Sequence, residues 1–84
     1  MKKTYEVIHA YGKLNFEKYE DALSFAKHAT TPIYDEYAEE WSTKYNRALI
    51  IMTEKKKGFN LEMTYVQMVE FIAEDMWFIT DMKI

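Results

Sequence analysis

The fifteen residues from Tyr65 to Ile79 place the tightest constraint on how this chain can fold. Tyr65, Val69, Ile72, Met76 and Ile79 recur at spacings of three and four, which puts them on one face of an α-helix. Met68 and Ala73 widen that stripe, and Thr64 with Gln67 fits a capping box at its start. The polar face is narrow, holding Gln67, Glu70, Glu74 and Asp75. Phe71 and Phe78 lie toward it, so they need a second surface to cover them, from the same chain or from a partner.

Upstream, residues 4 to 11 read as a strand, with Tyr5, Val7, His9 and Tyr11 on one side and Glu6, Ile8 and Ala10 on the other. Gly12-Lys13 reads as a turn or bulge, and Leu14 and Phe16 as a short extended continuation. Asn15 suits an N-cap for a helix from about Glu17 to Ala29. Tyr19, Ala22, Leu23, Ala26 and Ala29 form its apolar stripe, and the alanines let it lie close against a sheet. Its acids come early and Lys27 and His28 late, as the helix dipole prefers.

Thr31 and Pro32 then read as the cap and first position of a second helix, ending near Asn46. Tyr34, Tyr37, Ala38, Trp41 and Tyr45 would share its buried face, with Asp35, Glu36, Glu39 and Glu40 opposite. Arg47 to Thr53 is apolar on both sides, as a central strand requires. Lys55-Lys56-Lys57-Gly58 is a loop, and Phe59, Leu61 and Met63 alternate with Asn60, Glu62 and Thr64 in the returning strand of a hairpin. The expected fold is therefore one α+β domain over residues 1–84. A small three-stranded, mainly antiparallel sheet carries helices on one face, in the order β-α-α-β-β-α. The other face is more exposed, or covered by a second copy.

Eighty-four residues can build only a thin core, and such domains often lean on disulfides, metals or oligomerisation. Cysteine is absent, which removes disulfides and thiolate metal sites and fits a reducing compartment. Glu6 and His9 interrupt the apolar run that a signal peptide needs, and no stretch reaches the ~18 apolar residues of a membrane span. A cytoplasmic protein is expected, in host cytoplasm if the gene is viral.

Lys and Arg total 11 against 14 Asp and Glu, a formal charge of -3. Four acids against Lys44 between Pro32 and Tyr45 account for all of it, so the acidity is local. Acids at 35 and 39, and at 36 and 40, form two adjacent rows on a helix. The bland reading is a solvated face; the sharper one is a docking surface for a basic protein partner. His9 and His28 are not spaced to converge on a metal or a reaction, and neither serine sits in a nucleophile elbow. No catalysis, cofactor or metal is expected.

Aromatics at 17% exceed what a thin core absorbs, and aromatic side chains dominate protein-binding hot spots. The sequence therefore points to a small non-catalytic interaction protein, an inhibitor or modulator docking an acidic helix on a basic, nucleic-acid-binding surface of a larger complex. Asp35, Glu36, Glu39, Glu40, Phe71, Trp77 and Phe78 are the expected contact residues, with a homodimer as a further partner state. One alternative is a nucleic-acid-binding or transcription-regulating protein using Tyr5, Tyr11 and the lysine loop, which the mild acidity disfavours. Another is a small-molecule-binding dimer of ferredoxin-like type, which requires a pocket between helices and sheet.

Overall fold

The computed structural model describes residues 2–10, 12–41, 46–55 and 62–82. Along the chain run β1 (Lys2–His9), β2 (Gly12–Phe16), α1 (Tyr19–Thr30), β3 (Tyr34–Asp35), β4 (Glu40–Trp41), β5 (Arg47–Lys55), β6 (Glu62–Ala73) and β7 (Met76–Met82). Five strands form one antiparallel sheet in the order β2-β1-β5-β6-β7, and β3 and β4 form a separate hairpin. β5 is the middle strand, as its two apolar faces imply.

Alternation along the strands sorts the sheet into two faces. Val7 pairs with Ile50 and Ala48 with Val69, so these four side chains share the face that α1 covers. They meet Ala22 and Ala26 of the helix, and these six are the buried apolar core among the described residues. Half of them are alanines. Their small side chains bring the helix close but bury little area each.

Polar stitches hold both ends of the helix to the sheet. At its start, the Tyr19 hydroxyl donates to Gln67 Oε1 at 2.5 Å, and Gln67 Nε2 donates to Asp81 Oδ1 at 3.0 Å. At its end, Thr30 Oγ1 donates to the Ala26 carbonyl at 2.9 Å and accepts the Trp77 indole N–H at 3.0 Å. The Thr31 hydroxyl bonds the Lys27 carbonyl at 2.8 Å. In the last turn, where carbonyls lose their intrahelical donors, the Lys27 carbonyl thus gains a side-chain partner.

Two expected helices are strands. Residues 65–79 fold as a β-hairpin, with Thr64 inside β6 rather than at a cap. Ten of the seventeen residues from 64 to 80 are β-branched or aromatic, which favours strands. Glu74 and Asp75 make the turn, and Asp75 takes the left-handed conformation, φ 57°. The stretch is apolar on nearly every side, so a helical spacing finds matches in it that the sheet does not use.

The expected second helix is the β3–β4 hairpin. Asp35 Oδ1 accepts the Tyr37 and Ala38 N–H groups at 2.9 and 3.2 Å, closing a single turn. Glu39, at φ 53°, ends that turn and sends the chain back antiparallel. Tyr34 and Trp41 meet directly across it, ring centroids 5.3 Å apart. The remainder of that expected helix, 42–45, lies outside the described residues. The three-stranded sheet in β-α-α-β-β-α order is therefore replaced by five strands plus two and one helix.

Smaller differences have local causes. Asn15 is held in β2 opposite Glu6, so Lys18 precedes the helix without a side-chain cap. Gly12 opens β2 instead of making a turn. The hairpin between β5 and β6 forms as expected, while most of its lysine loop and Phe59 and Leu61 lie outside the described residues. The long axis measures 56 Å and the radius of gyration is 14.9 Å, against ~12 Å for a compact chain of this length.

Candidate functional site

The two hairpins that replace helices bring the acidic residues to one end of the molecule. Trp41 of β4 lines a cleft with Phe71 of β6, Glu74 and Asp75 of the β6–β7 turn, and Trp77 of β7. Thr31 and Pro32, where α1 gives way to β3, complete it, and it encloses about 660 Å³. The cleft therefore joins the acidic hairpin to a second acidic turn.

Asp35, Glu36, Glu39 and Glu40 are all exposed, on a hairpin instead of a helix. Asp35 and Glu40 sit directly opposite one another in register. Like charges at facing positions of a strand pair are destabilising. Among the described residues, none of the four acids joins an ion pair; that geometry is found between Arg47 and Glu70. Exposed apolar surface lies beside the charge: Tyr37 is fully exposed, Ile33 is 73% exposed and Trp41 62%.

The three expected aromatic contacts separate. Phe71 and Trp77 pack edge to face at 5.7 Å on the helix side of the sheet. The Lys27 ammonium lies 5.3 Å from the Trp77 ring centre, a cation–π contact between the helix and the edge strand. Phe78, one residue on, points to the opposite face and is 62% exposed. It does not belong to the acidic end.

Glu74 and Asp75 are the site residues that sequence reasoning assigned to a helix surface. The available signal was two adjacent acids between two β-branched, aromatic runs, a turn signature. The other expected readings find less to stand on. Tyr5 packs edge to face on Tyr19 at 5.8 Å beneath the helix, so it is not an open stacking platform, and Tyr11 lies outside the described residues. A ferredoxin-like arrangement needs two helices on the sheet, and the described residues contain one. A cavity of about 340 Å³ does lie at the helix start, bordered by Tyr5, Tyr19, Met52, Tyr65 and Gln67.

His9 lies at the end of β1 and His28 in the last turn of α1. Among the described residues, no group of three or more His, Cys, Asp or Glu could hold a metal ion. No helix among them is long and apolar enough to cross a membrane. Comparison of the chain with protein-family models, curated proteins and solved structures finds no match in any of the three.

Proposed function

We propose that this chain is a non-catalytic protein-binding module that docks its acidic end on a basic protein surface. Inhibition or modulation of a larger, nucleic-acid-binding complex is the concrete form. The observation that carries the reading is the cross-strand pair of Asp35 and Glu40, exposed, in no ion pair among the described residues and flanked by exposed aromatics. A basic partner would neutralise that repulsion, and Tyr37 and Trp41 would supply the buried anchors that make such contacts tight. The cleft adds Glu74 and Asp75 around an aromatic floor, chemistry suited to an arginine or lysine side chain. A cytoplasmic location belongs to this reading, as does a homodimeric state, whose surface is separate from the acidic end.

The test is partner capture from native lysate with wild type and the double variant Glu36→Lys/Glu40→Lys, with nuclease present and at two salt concentrations. One stoichiometric basic protein, lost with the variant and weakened by salt, supports the reading. A partner retained equally by the variant contradicts it. Binding that disappears with nuclease transfers the function to nucleic acid.

A further inference from the structure

The helix covers one face of the five-stranded sheet, and the other face has an apolar centre with a polar border. On it, Ile8, Leu49 and Met68 stand in one line across β1, β5 and β6. Ile51, Val66 and Met82 form the next line across β5, β6 and β7. The first five of these are only partly covered, and Met82 is 45% exposed. Phe78 lies on the same face at the β7 edge. We propose that this face is a homodimer interface, on which a second copy of the chain packs sheet to sheet across a two-fold axis.

Three features select a second copy as the occupant. The first is size. Neighbouring strands pair over five to nine residues, so five strands at ~4.8 Å spacing and ~3.4 Å per residue give a plan area of roughly 550 Å². Side-chain relief raises the accessible area above the plan area, toward the ~800 Å² per partner of a standard stable interface. The second is the thin core. With six buried apolar side chains among the described residues, three of them alanine, and no cysteine in the sequence, few other sources of cohesion are visible.

The third is charge. The apolar lines are bordered by Glu6 and Lys13 toward β2, by the Arg47–Glu70 pair at one end and by Lys55 opposite Glu62 at the other. These three cations and three anions balance, so the described border brings two copies together without net repulsion. A strongly basic partner is drawn instead to the acidic end. An apolar centre with a mixed polar border is the anatomy of a self-associating surface. Two aligned sheets would sit ~10 Å apart with the side chains interleaved.

Light scattering on the eluting full chain, across a concentration series, reads the mass. Wild type should elute as a dimer in the micromolar range. Phe78→Lys, at an exposed position not needed to build the monomer, should weaken self-association by roughly tenfold or more. Met68→Lys should leave a monomer. If Met68→Lys fails to fold by circular dichroism, Phe78→Lys decides. A wild type that stays monomeric throughout overturns the proposal, as does a dimer unmoved by Phe78→Lys. The proposal rests on the homodimeric state of the proposed function and gives it a surface; the acidic variant Glu36→Lys/Glu40→Lys should remain dimeric, so the dimer and the docking of a basic partner fail independently.

Discussion

Trp77 donates its indole N–H to Thr30 Oγ1 at 3.0 Å, and the same hydroxyl donates to the Ala26 carbonyl at 2.9 Å. Thr30 is 1% exposed. One hydroxyl thus ties the last turn of the helix to the edge strand of the sheet, 47 residues away. It also holds one wall of the acidic cleft in place. Thr30→Val removes the acceptor and leaves the indole N–H without its partner, at a cost of about 1–2 kcal/mol. Thr30→Ser keeps the hydroxyl and should cost less. Urea unfolding of both, alone and with Trp77→Phe, measures the coupling. Equal losses for Val and Ser, with additive double variants, would show the bond carries no stability.

Ala26 is fully buried between helix and sheet, where a larger side chain has no room. Ala26→Leu should destabilise the fold by about 1–3 kcal/mol through overpacking. Ser24→Ala, on the exposed side of the same helix, should stay within about 0.5 kcal/mol. A stabilising Ala26→Leu would mean that the helix does not lie on the sheet as described.

Asp75 holds φ 57° at the turn between β6 and β7. Asp75→Gly should be neutral or stabilising, since glycine takes that conformation freely. Asp75→Val should lower stability by about 1–2 kcal/mol. Thermal melts of the two variants give the ranking, and the reverse order would place the turn elsewhere.

How much of this was legible in the sequence depends on the local signal. Arg47 to Thr53 is apolar on both faces and is the central strand. Tyr19 to Thr30 carries small apolar residues at helical spacing between early acids and late bases, and is a helix. Residues 65–79 were illegible by periodicity because both faces of the strand pair are apolar. One side packs on the helix and the other is open, so matches to a period near 3.6 and to a period of 2 coexist. Residues 34–41 misled differently. Thr31, Pro32 and Asp35 are true helix-start residues, but the left-handed Glu39 stops the turn after one cycle. The acidic cluster was legible as an exposed surface. Its union with Glu74 and Asp75 was not, because only the folding back of β7 brings that turn to the hairpin.

The acidic end should be readable with ions. In Trp77→Phe, Trp41 is the remaining tryptophan, exposed and beside Glu40, Glu74 and Asp75. At low salt, caesium should quench it more efficiently than iodide, by roughly twofold or more, and added salt should erase the difference. Equal quenching at low salt would mean the carboxylates do not set the potential there.

Hydrogen exchange of the chain, alone and bound to its captured partner, locates the docking surface itself. Protection on binding should concentrate in 33–41 and 71–77, the hairpin and the cleft it joins. Exchange elsewhere in the sheet should change little. Protection confined to β1, β5 and the open face of the sheet, with 33–41 unchanged, would contradict an acidic docking end.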